Sequence, residues 1–416
     1  MSNSIRVNEL IRKLEEAYCV GLIESIESIA CDEEELLRSF GSHAEAQNPS
    51  AASQLRSSFL VVAHSGKYFL KRVSAWIEED QLACIEHFIN WTAQQKLNLS
   101  PALISTRTGE THILFAGNRY QLFEFVQLEK RQLWMNANLT QEDCSLAAQL
   151  LIKFNEAACQ YLECSKRAEG GKSFPRPQDW KASAIRNTKD NWNLLVARAA
   201  AAGSKAYPAI ARLLTVRNLL EEKLDHSLRL ALAAEDAMAQ AGLTSLVHGD
   251  FHPGNILFSI DANNRKTAQL VDYDHMHREF SAFDLGYALI MFAYSPCVGD
   301  GLNGRASGTA DIDHGRAQAF IRGALQSLAG SAGERRATQA VRPELLQSSA
   351  GELIVAYMTV SCFLIADWAE ERLRNGPPPF SGIYDGIISD MTDLLLGDSL
   401  EKTGLFYNRV RNEILS

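Results

Sequence analysis

Alternating apolar and polar positions predict that the first third of the chain is rich in β-strands. The run SFLVVAHSGKYFLKRV, residues 58–73, places two β-branched and aromatic segments on either side of a His-Ser-Gly-Lys turn. This pattern predicts a β-hairpin in which Gly66 takes a positive φ. The spacing of apolar residues predicts further elements: helices over 1–18 and 76–96, and strands over 23–30, 112–117 and 120–126, the last two joined by a Gly117-Asn118 turn.

Beyond this part, the apolar spacing becomes that of helices. Thr140 is suited to cap a helix over 140–162, with Asp143 three positions further on. Helical spacing continues over 180–202 and 209–241 and through most of the remaining chain. A short β element, formed by LVHGDFHPGNILF and the strand TAQLVDYD, interrupts the helices. The sequence therefore predicts an α+β fold, with a small β-rich part followed by a larger, mainly helical part.

Composition and charge narrow the class of protein. The chain has 416 residues, enough for two domains or one bilobal unit, and 46% of them are apolar, as in a globular protein. A formal net charge of -9 without a Lys/Arg-rich run argues against nucleic acid as a partner. The start lacks the apolar centre of a signal peptide, and no apolar run reaches the ~18 residues of a membrane span. The scattered cysteines form no CxxC pair, so we expect a cytoplasmic protein with reduced thiols and no membrane partner.

Two side chains with oxygen donors lie in the polar loop between the apolar segments LV and ILF. Asp250 and Asn255 are separated by a stretch containing Pro and Gly, and a strand follows directly. Carboxylate and carboxamide groups offer oxygen atoms, which are the ligands that Mg²⁺ prefers. In QLVDYD, alternation would place Leu270 and Asp272 on one face of the next strand. A carboxylate at the end of an apolar strand needs a partner to stay ionised, and a metal ion is one such partner.

These groups are among the parts that phosphoryl transfer requires. The reaction needs a base for the attacking hydroxyl, metal ligands and a cation for the phosphates. Asp250, Asn255 and Asp272 supply the first two. The cation is expected from the β-rich part, where Lys71 lies in YFLKR on the second hairpin strand. Glu86 in LACIEHFI lies on the next predicted helix, and we expect it to pair with Lys71 and hold it in place.

The order and spacing of these motifs resemble the aminoglycoside phosphotransferase and choline kinase group of small-molecule kinases. The resemblance rests on H-x-D-x-x-x-x-N from His248 to Asn255, on LVDY around Asp272 and on FDLG around Asp284. It extends in layout through Lys71, the following helix and the segment LFEFV. It implies a bilobal protein-kinase-like fold, with ATP and Mg²⁺ as cofactors and a small molecule bearing a hydroxyl group as the acceptor.

The resemblance also implies the extent of the lobes and the roles of single residues. The N-lobe, which binds the nucleotide, would cover 1–125, and the C-lobe, with the catalytic loop and substrate site, 126–416. Asp250 would be the catalytic base. The other implied roles are Mg²⁺ binding by Asn255 and Asp272, nucleotide binding by Lys71 and Glu86, backbone groups toward the nucleotide base from Glu124 to Val126, and bracing of the loop by Asp284. For His248, direct participation is the alternative to the packing and hydrogen-bonding role in the loop that we expect.

The acceptor and the oligomeric state stay open at this point. The block ELIVAYMTVSCFLIADWAEERL, residues 352–373, is similar to the C-terminal part of the type II homoserine kinase branch. The candidate acceptors are an aminoglycoside-like antibiotic, homoserine, a sugar such as methylthioribose, and choline or another amino alcohol. Both a monomer and a homodimer fit the sequence.

One segment departs from the pattern of the group. Where a glycine-containing turn usually covers the phosphates, this chain has a long segment that is acidic from Asp32 to Glu35 and contains only Gly41. Carboxylates near a triphosphate are repulsive. We expect residues 32–55 to form a mobile, mostly helical flap away from the phosphates. The alternative is a catalytically weak or dead kinase-like binding module.

Overall fold

The computed structural model describes residues 3–28, 58–129, 132, 138–167, 184–202, 207–240, 245–295, 310–330, 347–375 and 381–415. The helices there are α1 (Asn3–Ala17), α2 (Glu79–Gln94), α3 (Gln141–Arg167), α4 (Ala184–Ala202), α5 (Pro208–Thr215), α6 (Arg217–Gln240), α7 (Ser281–Ala293), α8 (His314–Gly330), α9 (Ala350–Asn375), α10 (Ser381–Leu396) and α11 (Ser399–Leu415). The strands are β1 (Ile23–Ser28), β2 (Ser58–Ala63), β3 (Gly66–Arg72), β4 (Ile113–Phe115), β5 (Asn118–Glu124), β6 (Ser245–Val247), β7 (Ile256–Ile260), β8 (Lys266–Leu270), β9 (His277–Glu279), β10 (Tyr294–Ser295) and β11 (Asp311–Ile312). The expected flap at 32–55 lies outside the described residues.

The described residues form two compact units. The β-rich unit comprises those within Met1–Leu133 and Ile256–Asp274, and the helical unit those within Trp134–Glu169, Phe174–Asn255 and His275–Ser416. This division into a small β-rich part and a larger helical part is the α+β class that the sequence predicts. The lobe boundary at residue 125 remains a sequence-based prediction.

A five-stranded antiparallel sheet forms most of the β-rich unit, in the order β1-β2-β3-β5-β4. The predicted hairpin is present, with Ala63 opposite Gly66 and a two-residue turn between them. Gly66 has the expected positive φ, 144°. One sheet face packs on α1: Leu14 of the helix and Tyr18, the first residue after it, are fully buried with Leu70 of β3. The apolar alternation of the strands is therefore satisfied by the N-terminal helix.

The second hairpin turns one residue earlier than the sequence predicts. Phe115 of β4 lies opposite Asn118 of β5, so Ala116 and Gly117 form the turn instead of Gly117 and Asn118. Both turn residues have positive φ, 49° and 78°. A two-residue turn with two positive φ values matches the right-handed twist of the strands, and this favours the observed register.

Helix α3 opens the helical unit with the predicted cap. The Thr140 hydroxyl accepts from the backbone N–H of Asp143 at 3.1 Å, and the Asp143 carboxylate accepts from the backbone N–H of Thr140 at 2.9 Å. This reciprocal pair is a capping box with Asp in the third position. The helix predicted over 209–241 is instead two helices, α5 and α6, which separate at Val216.

Helix α9 lies at the centre of the helical unit, where it contacts α4, α6, α7, α10 and α11. By length and composition it is apolar enough to cross a membrane, with a mean hydropathy of 1.5 over its most apolar stretch. The apolar runs of the sequence predict no such segment. Because 72% of this stretch is buried within the protein, its apolar character has a sufficient cause in packing.

The polar loop HGDFHPGN runs between two separate two-stranded ladders. Before it, β6 pairs with β9 in the helical unit, and after it, β7 pairs with β8 in the β-rich unit. The apolar segments LV and ILF are therefore both strands, as predicted, but they do not belong to one β element. Asn255 is the last residue before β7, and Asp272 is the second residue after β8.

Candidate active site

Asp284 ties the first residues of the polar loop to α7 of the helical unit. Its carboxylate is fully buried and accepts from the backbone N–H of His248 at 2.6 Å and of Gly249 at 3.0 Å. Gly249 has a φ of 77°, and a Cβ atom there would lie 2.5 Å from the backbone oxygen of His275. No other residue type fits this position without strain. The loop conformation is thus fixed by one carboxylate and one glycine.

The Asp250 carboxylate is held by donors at both of its oxygen atoms. The Tyr287 hydroxyl donates to Oδ1 at 3.0 Å. Asn255 Nδ2 donates to Oδ2 at 3.3 Å, and His252 Nε2 lies 3.3 Å from the same oxygen. Burial alone would raise the pKa of Asp250, but the rings of His252, His275 and His248 outweigh it and hold the pKa below its ordinary value. The carboxylate is therefore ionised and oriented.

A backbone hydrogen bond fixes the proton on His252. The N–H of Gly254 donates to Nδ1 of the ring at 3.1 Å, so Nδ1 is an acceptor. In a neutral imidazole the other nitrogen then carries the proton. Nε2 consequently donates to Asp250, and this donation needs no positive charge on the ring.

Asn255 is oriented by the same loop. Its Nδ2 also donates to the backbone oxygen of Asp250 at 2.9 Å, and the residue is 6% exposed. Because the amide nitrogen faces Asp250, the amide oxygen is the atom that can accept a cation. His248 is fully buried, with its ring edge-on to Phe154 and Phe251 at 6.1 Å each. These contacts pack the His248 ring among aromatic side chains, and its role in the site stays a prediction.

A second cluster, which we call the Lys71 cluster, lies in the β-rich unit. It consists of Lys71, Ser74, Gln81, Asp272 and Asp274. Lys71 Nζ donates to Oδ1 of Asp272 at 2.8 Å and to Oδ1 of Asp274 at 2.5 Å. Burial opposes the charged amine, but the two carboxylates outweigh it and raise the pKa of Lys71 above its ordinary range. The lysine is therefore cationic, as predicted.

The predicted pair between Lys71 and Glu86 is absent, although the structure describes both residues. Glu86 Oε1 accepts from Gln121 Nε2 at 2.8 Å and lies 3.1 Å from His112 Nδ1. The physical reason is that two carboxylates from the segment after β8 already surround the Lys71 amine. Helical spacing placed Glu86 correctly on the buried side of α2, but it could not identify the partner.

The expected position of Asp272 on a strand face is also wrong. Strand β8 ends at Leu270, and Asp272 has a φ of 64°. A non-glycine residue in this left-handed region is uncommon, and such positions cluster at functional sites. The turn leaves the Asp272 side chain 43% exposed while one of its oxygens contacts Lys71. The carboxylate is thus both paired and accessible.

The segment expected to face the nucleotide base lies at the end of β5. Glu124 is the last residue of the strand, and its N–H already donates to the backbone oxygen of Ala102 at 2.9 Å. Other backbone groups between Glu124 and Val126 would have to serve the base, so the role of these two residues stays a prediction.

Sequence reasoning did not connect several residues with these clusters. They are His252 and Tyr287 near Asp250, and Ser74, Gln81 and Asp274 near Lys71. Two signals were present in the sequence: Tyr287 follows Asp284 at a spacing of three on one helix, and Asp274 follows Asp272 at a spacing of two. The described residues contain no group of three or more His, Cys, Asp or Glu side chains that could hold a metal ion.

Comparison with known proteins assigns the family. The model of the phosphotransferase enzyme family (APH) matches residues 47–320, well over half of the chain. No curated protein matches the chain in sequence.

Three solved structures are similar to this chain in fold. The microcompartment-associated aminopropanol kinase has a TM-score of 0.55 and 13% identity, with 96% of this chain and 99% of that chain covered. Amicoumacin kinase in complex with AMP-PNP, Ca²⁺ and Ami has a TM-score of 0.52 and 12% identity, with 94% and 97% covered. An aminoglycoside phosphotransferase from Alicyclobacillus acidocaldarius has a TM-score of 0.51 and 16% identity, with 86% and 90% covered.

The matched range contains Lys71 and the whole HGDFHPGN–VDYD–FDLG block, which are the motifs on which the resemblance rests. The predicted protein-kinase-like α+β fold and the predicted enzyme class are confirmed. The chain belongs to the phosphotransferase enzyme family.

Proposed function

We propose that this protein transfers the γ-phosphoryl group of ATP to a hydroxyl of a small molecule, with Mg²⁺ as cofactor and Asp250 as the base. The observation that carries the proposal is the state of Asp250: its carboxylate is ionised, and donors hold both oxygens in place. A group that accepts a proton from an attacking hydroxyl needs this charge state and this orientation.

Asp250 would act on the acceptor hydroxyl. As the hydroxyl oxygen forms its bond to the γ-phosphorus, the bond between that phosphorus and the bridging oxygen to the β-phosphate breaks and ADP leaves. The hydroxyl proton passes to the Asp250 carboxylate. A pKa held below its ordinary value makes Asp250 a weak base, so its main contribution is to orient the hydroxyl until bond formation makes the proton acidic.

Asn255 and Asp272, each taken by itself, carry an oxygen atom that suits a magnesium ion. Asn255 has its amide oxygen available, because Nδ2 is used by Asp250. Asp272 offers a carboxylate that is 43% exposed. Oxygen donors of this kind hold Mg²⁺ through one or two side chains, with water and phosphate oxygens as the other ligands. The bound ion would neutralise charge on the phosphates, and Lys71 would add a second positive charge.

A small hydroxylated molecule that also carries an amine is the acceptor class we favour. The aminopropanol kinase, which shares the fold, carries a name that places an amino alcohol among its substrates. Homoserine, aminosugar antibiotics and amino alcohols all belong to this class. A panel of these compounds, scored by ADP release, tests it, and transfer only to acceptors without an amine would contradict it.

Nucleotide binding should depend on Mg²⁺ through Asp272. We expect Mg²⁺–ATP to raise the midpoint of thermal unfolding of the wild type, since a ligand that binds only the native state stabilises it. Asp272→Asn should lose most of the Mg²⁺-dependent part of that shift, because the variant lacks the accessible carboxylate. A differential scanning fluorimetry titration of Mg²⁺ at fixed ATP measures both.

Asp398→Asn is the matched control for this test, since it removes a carboxylate that is 71% exposed and paired with Lys402. If the Mg²⁺ titration of Asp272→Asn superimposes on that of the wild type, Asp272 does not bind the metal ion. No shift in the wild type would contradict the proposed function as a whole.

The Tyr287 hydroxyl should tune Asp250. Tyr287 stays neutral at every assay pH, because burial and the neighbouring Asp250 charge raise its pKa well above the ordinary value. Tyr287→Phe removes one donor from the Asp250 carboxylate and retains the ring, which stacks on Phe283 at 6.3 Å. We expect turnover to fall about tenfold, the effect of one hydrogen bond to a charged group.

Tyr294→Phe controls for the loss of a tyrosine hydroxyl. It removes a bond to Asp390 that does not involve Asp250. Turnover in Tyr287→Phe equal to that of the wild type and of Tyr294→Phe would mean that Tyr287 does not act on the base.

A further inference from the structure

The two carboxylates that hold the Lys71 amine differ in accessibility. The Asp272 side chain is 43% exposed, whereas that of Asp274 is 11% exposed and that of Lys71 13%. The proposed function assigns the accessible carboxylate to the metal ion. A metal ion and an ammonium group compete for the same oxygens, so the buried carboxylate is the one that can hold the lysine in every state of the site.

Asp274 is fixed by groups that do not depend on a ligand. Ser74 Oγ, just after β3, donates to Oδ2 at 2.5 Å. Gln81 Nε2 donates to the Asp274 backbone oxygen at 3.2 Å, and Gln81 is 3% exposed in the first turn of α2. One carboxylate oxygen thus serves Lys71, the other serves Ser74, and the backbone is held by α2. This is the arrangement of a support whose geometry is set before substrate binds.

Glu86 is occupied in a different network. Its Oε1 accepts from Gln121, which is 4% exposed, and contacts His112. Turning Glu86 toward Lys71 would leave the buried Gln121 amide without this acceptor, and an unsatisfied buried donor is costly. Helix α2 therefore reaches the Lys71 cluster through Gln81, five residues before Glu86.

We propose that Asp274, supported by Ser74 and Gln81, is the positioning residue that holds the Lys71 amine for the nucleotide phosphates, in place of Glu86. This inference rests on the proposed function, because it names what keeps Lys71 in place for that reaction. Asp274 would touch neither the nucleotide nor the acceptor. It would act only by holding the Lys71 amine in place.

Binding of Mg²⁺–AMP-PNP, measured by titration calorimetry, tests the proposal without a known acceptor. Asp274→Asn should raise the Kd about tenfold, the effect of losing one charge-assisted hydrogen bond to the lysine. Glu86→Gln should raise it by less. The matched control is Glu129→Gln, which removes the partner of Lys266 at 2.9 Å, another lysine–carboxylate pair of the β-rich unit. A larger effect from Glu86→Gln than from Asp274→Asn would overturn the proposal.

Two further readouts separate positioning from a general structural effect or a metal ligand. In a Lys71→Met background, Asp274→Asn should raise the Kd by less than about twofold. The reason is that Asp274 acts through the Lys71 amine, which this background lacks. The Mg²⁺ concentration for half-maximal AMP-PNP binding should stay at the wild-type value in Asp274→Asn and rise in Asp272→Asn. Additive losses in the first test, or a raised Mg²⁺ requirement in Asp274→Asn, would refute the positioning role.

Ser74→Ala gives the same answer if Asp274→Asn does not fold, since it removes only the support of Asp274 and should weaken AMP-PNP binding in the same direction. An unchanged Kd in Ser74→Ala would count against the proposal.

Failure of the proposed function and failure of the positioning role of Asp274 give different results. A wild type that binds Mg²⁺–AMP-PNP but transfers phosphate to no acceptor refutes the proposed function and leaves this inference standing, whereas a wild type that binds no nucleotide refutes both.

Discussion

Asp250→Asn should lower turnover by ~10²–10⁴, the range for loss of a general base, while nucleotide binding stays close to that of the wild type. The amide has the shape of the carboxylate but cannot take up the proton of the acceptor hydroxyl. It also replaces one of the two acceptor oxygens by an NH₂ group, so either Tyr287 or His252 loses its acceptor and the side chain is held less firmly. Because the lost interaction is made in the transition state, kcat and kcat/KM should fall together.

The measurement is ADP release with the best acceptor from the panel, together with calorimetry of Mg²⁺–AMP-PNP. Asp398→Asn, at an exposed position just before α11, controls for loss of a carboxylate. A similar thermal midpoint in Asp250→Asn and wild type would establish that the loss is chemical. Turnover at the wild-type rate would show that Asp250 is not the base. Lost nucleotide affinity with unchanged kcat would assign Asp250 to binding instead.

Local patterns explain why much of the fold could be predicted. Alternation within 58–73 determines both strands of the first hairpin and the position of Gly66, and a cap at Thr140 needs only Asp143 three residues on. The HGDFHPGN motif is read in the same way, because Asp250 and Asn255 are joined by a backbone and a side-chain hydrogen bond across five residues. Where the interacting groups are neighbours in the chain, spacing carries the information.

Long-range partners could not be predicted in this way. Lys71 and Asp274 are about 200 positions apart in the sequence, and periodicity says nothing about contacts over such a distance. The expected Glu86 pair came from a family pattern, and the structure has other carboxylates at that amine. The left-handed φ of Asp272 was equally invisible, because no glycine or asparagine marks it. In the folded protein, strand β8 ends at Leu270, two residues before Asp272.

Asp284→Ala should destabilise the protein by about 2–5 kcal/mol, since the backbone N–H groups of His248 and Gly249 would each lose a buried acceptor. Turnover should fall in the remaining folded protein, because the loop that carries Asp250 loses its brace. Asp284→Asn keeps the shape and one acceptor oxygen, so its loss of stability should be smaller. Urea unfolding measures the free energies, and Asp398→Asn is again the control. Stability equal to wild type in Asp284→Ala would show that the loop needs no brace.

The pH dependence of stability shows which force sets the charge of Asp284. Burial raises its pKa to about 7, while the N–H groups of His248 and Gly249 act in the opposite direction. The pKa of Asp284 in the folded protein thus lies above its ordinary value of 3.8. The stabilisation from this group is therefore fully present below pH 3.8 and is lost as the pH rises through about 7. The free-energy advantage of the wild type over Asp284→Asn should therefore be larger at about pH 5 than at about pH 8. Other buried acids, such as Glu235, titrate in both proteins and cancel in the difference. An advantage that grows with pH would mean that the two N–H donors outweigh burial and keep Asp284 ionised.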